Sequence, residues 1–90
     1  MNVELSWHND NQSSIYGKYF KEWTWDDFYT YADLAKIMMH ETSSDRCYMI
    51  SDMTDSIMPK GSASMHGTNV MKNKHPKLRF VVIVTTTGCA

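Results

Sequence analysis

Hydrophobic and polar positions alternate at the start of the chain. Val3, Leu5 and Trp7 are separated by Glu4 and Ser6, the period of a half-buried strand. Residues 8–14 are polar and turn-rich and read as a loop. An extended pattern resumes over residues 15–23, with aromatic side chains at Tyr16, Tyr19, Phe20 and Trp23. The two segments predict an antiparallel hairpin with a loose turn.

The period then lengthens. Phe28, Ala32, Ala35 and Met39 fall at helical spacing, and Trp25, Tyr31, Leu34 and Met38 widen the stripe. This predicts an amphipathic helix over residues 25–41. Thr24 stands where an N-cap hydroxyl accepts an unpaired backbone N–H. Asp26 and Asp27 suit the positive end of the helix dipole. Residues 46–53 read as a strand that enters a polar loop closed by Pro59 and Gly61. A second helix is predicted from residue 61 or 62 to 73, although Gly67, Thr68 and Asn69 within it are poor helix formers. Pro76 ends it. Residues 78–85 are nearly continuous in apolar side chains, the pattern of a parallel strand covered on both faces.

The order β-β-α-β-α-β predicts one α/β domain over residues 1–90, with a mixed sheet and helices packed on it. The strand–helix–strand unit over residues 46–85 is expected to cross over right-handedly, its strands parallel. A last strand that needs cover on both faces calls for a further helix. The domain is therefore expected to be truncated at its C-terminus, or to take its cover from another chain, as in a homo-oligomer.

Composition narrows the class. Hydrophobic residues at 42% and charged residues at 21% describe a folded chain. A net charge of -1 provides no basic face, which argues against a nucleic-acid partner. No apolar run approaches the ~20 residues that span a bilayer, and the N-terminus lacks the marks of a signal peptide. Two cysteines, Cys47 and Cys89, are too few for a disulfide scaffold, so a cytoplasmic location is expected. Cys89 reads as a free thiol, Cys47 as a small buried hydrophobe. Eight methionines either fill core gaps or form an adaptable surface.

In open α/β sheets, function sits at the carboxyl ends of the strands. The loop after the third strand is accordingly the candidate site, with Asp52, Thr54, Asp55, Ser56, Lys60, Gly61 and Ser62 as binding residues. Asp52, Thr54 and Ser56 have the D-x-[ST]-x-[ST] form that holds a divalent cation in von Willebrand A-type folds, and oxygen ligands suit magnesium. A small metal-dependent hydrolase or cation-binding domain is one reading. The other is that these side chains bond their own backbone in a turn. As a phosphatase nucleophile, Asp52 lacks the second acid expected two positions on, where Thr54 stands.

His8, His40, His66 and His75 show no zinc-ligand spacing. Neither a nucleophile–base set nor a glycine-rich phosphate loop can be assembled. No catalytic residue, resident metal or cofactor is assigned. The dense aromatic residues either cap a small core or line a groove for an apolar ligand, a lipid among them.

Four segments together resemble the STAS domains. They are residues 15–23, like the family's I-x-G-x-(aromatic) strand; Thr24-Trp25-Asp26-Asp27, like its helix start; Met49-Ile50-Ser51-Asp52-Met53-Thr54, like its strand ending in Asp and a hydroxyl residue; and His75-Pro76-Lys77-Leu78 leading into the last strand. The resemblance is to the bacterial branch of anti-anti-sigma-like proteins, often named with the lipid-transfer CRAL-TRIO domains. It implies a non-enzymatic regulatory module that binds a partner protein, a kinase or sigma-regulatory protein among them, or a small ligand. In that branch a serine at the start of the following helix is phosphorylated. Here Lys60 and Gly61 take the places of the family's acidic residue and serine. Ser62 is the nearest hydroxyl, with Ser64 behind it, and both are phosphorylation candidates by resemblance. Ser62 equally suits an N-cap.

Overall fold

The computed structural model describes residues 2–85. Cys89 lies outside them. The protein is α/β, built in the order β1 (Val3–Trp7), β2 (Ser14–Tyr19), β3 (Lys21–Glu22), α1 (Trp25–Glu41), β4 (Cys47–Asp52), β5 (Ser56–Ile57), α2 (Ala63–Lys72) and β6 (Leu78–Val84). The main sheet is mixed and runs β1-β2-β4-β6. β1 is antiparallel to β2, with Val3 opposite Tyr19 and Trp7 opposite Ile15. β2, β4 and β6 are mutually parallel.

Local chemistry fixes the ends of α1. Thr24 Oγ1 accepts the Asp27 N–H at 3.1 Å, and the Asp27 carboxylate accepts the Thr24 N–H at 3.0 Å. This reciprocal capping box satisfies two donors that the first turn leaves unpaired. Tyr31, Ala32, Ala35 and Met39 form the buried stripe of the helix. Leu34, expected in that stripe, is exposed together with Ile37. The sheet meets a narrower face of α1 than the hydrophobic pattern predicts.

The core lies between α1 and the sheet. Ile15, Tyr19, Trp23, Met39 and Cys47 are its largest fully buried side chains. Tyr19 meets Trp23 and Tyr31 edge-on, at centroid distances of 4.7 and 5.3 Å, the arrangement that opposes ring face to ring edge. Tyr19 and Trp23 are thus core residues. Burial raises the Cys47 thiol pKa, in keeping with a packing role.

One expectation is corrected. The extended segment over residues 15–23 is not one strand. Lys21 adopts a left-handed backbone with φ of 49°, and the chain leaves the main sheet there. β3 then pairs in parallel with β5 as a separate two-stranded ladder. Among the described residues nothing covers one face of β6, the strand whose apolar pattern calls for cover on both. Its edge position leaves Phe80, Val82, Ile83 and Val84 exposed.

The reason is topological. The β2–α1–β4 and β4–α2–β6 crossovers step the same way across the sheet. Crossovers of one hand that do so lay their helices on one face, and both helices do border the same side. On the opposite side Tyr48 and Phe80 pair across strands with ring centroids 4.6 Å apart.

Candidate functional site

The loop after β4 is held by groups of the chain itself. Asp52 Oδ1 accepts from the Thr54 hydroxyl at 2.7 Å and the Thr54 N–H at 3.1 Å. Asp52 Oδ2 accepts from the Tyr16 hydroxyl and from Lys18 Nζ at 3.5 Å. Lys18 also donates to Asp55 at 3.1 Å. β-pairing explains the cluster, since Lys18 stands directly opposite Asp52.

These bonds fix the charge states. The Tyr16 hydroxyl and then the Thr54 donors hold the Asp52 carboxyl far below the usual carboxylate range. The bond to Asp52 raises the Tyr16 phenol, and the bond to Asp55 raises the Lys18 ammonium. At neutral pH the cluster is a carboxylate held by protonated donors. Tyr16, Lys18 and Asp52 are each shifted away from neutrality and are not poised to exchange a proton there.

Ser56 is also engaged. It donates to the Met53 carbonyl at 3.0 Å and accepts the Trp23 indole N–H at 3.2 Å. The oxygens of Asp52, Thr54 and Ser56 are thus each already bonded within the protein. No cluster of three or more His, Cys, Asp or Glu side chains suits a metal ion among the described residues.

Gly61 has a backbone role, with φ of 118°. A Cβ there would also stand 3.2 Å from the Trp25 indole nitrogen, which donates to the neighbouring Lys60 carbonyl at 2.8 Å. Ser62 caps α2, its Oγ accepting the Met65 N–H at 3.1 Å. Ser64 is exposed. Exposed apolar side chains also occupy this segment: Ile57, Met58 and Met65.

A second feature lies beneath the helices. α1, α2, β4 and β6 enclose a cleft of about 200 Å³. Met39, Met49, Met53 and Met71 contribute to its walls, with Phe28 and Val81. On its floor the Tyr31 hydroxyl meets Ser51 Oγ at 3.0 Å, and burial pushes the Tyr31 phenol up to about 12. The ionisable residues on the wall besides Tyr31 are Lys36, Lys74 and His75.

The cleft exists because α2 is lightly seated. No residue of α2 is buried. The helix is held near its start by His66, which stacks on Trp25 with ring centroids 4.3 Å apart and bonds the Tyr29 hydroxyl at 2.6 Å. Gly67 then presents no side chain at all, and a Cβ there would meet nothing within 4 Å.

Comparison with protein-family models, with curated proteins and with solved structures gives no match. Among the described residues no helix is long and apolar enough to cross a membrane.

Sequence reasoning located the loop and missed the cleft. Its wall residues come from α1, α2, β4, β6 and the segments that follow β4 and α2, so no single stretch of the chain outlines it. The two histidines His40 and His75 come within 6.2 Å of each other, although they are far apart in sequence.

Proposed function

We propose that this protein is a non-catalytic binding module whose ligand is a small apolar molecule held between the helices and the sheet. The cleft of about 200 Å³ carries this reading. Concave, mostly apolar sites with a few polar groups are the usual form of small-molecule pockets. Methionine supports the reading further, since its flexible thioether adapts to irregular ligand shapes. The likeness to STAS and CRAL-TRIO domains in the sequence segments points the same way, as does the element order. A cytoplasmic setting belongs to the same reading, supported by the buried thiol of Cys47, which is free among the described residues.

The test has two parts. Organic extraction of the purified protein followed by mass spectrometry is expected to yield a small apolar compound. Titration with octan-1-ol is expected to perturb the methyl NMR signals of Met53 and Met71. An empty extract together with unperturbed methyls overturns the reading.

A second reading has its own observation. Ile57, Met58 and Met65 are 62%, 50% and 52% exposed along the loop and the first turn of α2. Exposed apolar groups at a strand end suit a partner protein, such as the kinase or sigma-regulatory partner of anti-anti-sigma-like modules. Pull-downs with Ile57→Asp, Met65→Asp, Ser62→Glu and Ser64→Glu test it. Capture identical to wild type in all four removes this surface from consideration.

A further inference from the structure

The outer side of β6 is an open hydrogen-bonding edge. β6 ends the main sheet, and among the described residues nothing pairs along its outer side. The Val84 carbonyl accepts the Met53 N–H at 2.9 Å, so Val84 turns its backbone groups inward, toward β4. Backbone groups along a strand alternate between its two sides. Val82 therefore also faces β4, while the N–H and C=O groups of Val81 and Ile83 face outward.

Sheet proteins guard such edges with charges, prolines, bulges or a covering segment. β6 carries little of this. Its sequence, Leu-Arg-Phe-Val-Val-Ile-Val, holds one charged residue, Arg79. The Arg79 guanidinium donates to the Pro76 carbonyl at 2.9 Å, back along its own chain. The register irregularity opposite Cys47 and Tyr48 lies at the same end. From Phe80 to Val84 the edge is apolar at every position, and therefore on both faces.

A strand that joins this edge must be apolar on both faces too, and a second β6 is. Laid antiparallel about a two-fold axis through Val82, it sets Val81 opposite the partner's Ile83. Those are the residues whose backbone groups face outward, so each pair exchanges both hydrogen bonds. Phe80 falls opposite the partner's Val84, an aromatic–β-branched pair of the kind that stabilises sheets. Val82 falls opposite its own copy. An axis through Val81 instead sets Arg79 opposite the partner's Ile83, a poorer match. We propose that this protein forms a two-fold dimer by antiparallel pairing of β6 with β6 of a second copy, continuing the main sheet across the axis.

Size and charge agree with this. A seven-residue strand is about 23 Å long, and the molecule is 24 Å across in its narrowest direction. An edge contact of those dimensions covers about 500 Å² on each copy, or roughly 1,000 Å² in all, the lower bound for a specific interface. A net charge of -1 per chain sets little repulsion between copies. Head-to-tail pairing of β6 with β1 of the next copy is a worse fit. It lays the exposed Glu4 and Ser6 of β1 beside the apolar edge, and it leaves the assembly open-ended.

Sedimentation equilibrium of the full chain from about 1 μM to 1 mM tests the proposal, the range in which a small interface dissociates. Twice the chain mass is expected at the upper end, with nothing larger. Val82 meets its own copy on the axis and is exposed in the single chain. Val82→Lys alone and Val82→Glu alone are therefore each expected to abolish the dimer, because like charges then oppose one another. An equal mixture of the two is expected to restore it. Circular dichroism establishes that both variants are folded. Independently of any variant, amide exchange at Val81 and Ile83 in the unaltered protein is expected to slow as its concentration rises. A monomer at 1 mM, assemblies larger than two, dimers that survive both substitutions, or a mixture that stays monomeric overturns the proposal. So does exchange at those two amides that is independent of concentration.

Discussion

The ring of Tyr31 rests directly on the backbone of Gly17. A Cβ on Gly17 would stand 2.9 Å from both the ring Cζ and the hydroxyl oxygen of Tyr31, closer than real Cβ contacts allow. The ring has little room to retreat, because it bonds Ser51 and packs edge-on against Tyr19. Gly17→Ala is therefore expected to destabilise the protein by about 1–3 kcal/mol, the usual cost of overpacking a core. Urea denaturation measures it. A companion Tyr31→Leu substitution is expected to relieve part of the loss, so that the two effects are not additive.

Asp52 gives a pH dependence with a definite sign. Its carboxyl is held far below its ordinary value in the folded protein, while the unfolded chain binds the proton near pH 4. The resulting stability is fully present above about pH 4 and is lost as the pH falls toward the folded-state value. Asp52→Asn is expected to be less stable than wild type at pH 6, with the gap narrowing below pH 4. Thermal unfolding of both proteins at several pH values checks this. A gap that stays constant on acidification is the contrary result.

Tyr19 carries a hydroxyl that pays desolvation without return. The side chain is fully buried, and its oxygen has no hydrogen-bond partner among the described residues. Removing an unsatisfied buried polar atom while keeping the ring returns its desolvation penalty. Tyr19→Phe is expected to raise stability by about 1 kcal/mol, a rise of about 4–8 °C in Tm for a domain this size. Differential scanning calorimetry decides it. A lowered Tm would show that the hydroxyl is bonded in solution.

Gly67 is expected to respond oppositely to Gly17. It lies inside α2, and an added Cβ meets nothing within 4 Å. Alanine in a helix interior is favoured over glycine by about 1 kcal/mol. Gly67→Ala should therefore stabilise the protein by about that amount in chemical denaturation. Its amide hydrogens in α2 should also exchange more slowly, because this helix has no buried residue to anchor it.

The parts of the fold legible in the sequence are those set by near neighbours. Thr24 and Asp27 mark the start of α1 because a capping box needs only residues three apart. Ser62 caps α2 in the same local way. The bond from Thr54 to Asp52 was foreseeable as a turn. Tyr16 and Lys18 were not foreseeable as its companions, since strand register brings them there. The left-handed turn at Lys21 broke a segment that hydrophobic pattern alone renders continuous.

The sidedness of the sheet has a consequence for how this protein meets other molecules. Both helices stand on one side, and the Tyr48–Phe80 pair with Val82 and Val84 stands on the other. A molecule lodged under the helices and a molecule laid against the bare strands would never touch. They would be separated by the thickness of one β-layer, and they would grip the same two strands, β4 and β6, from front and back.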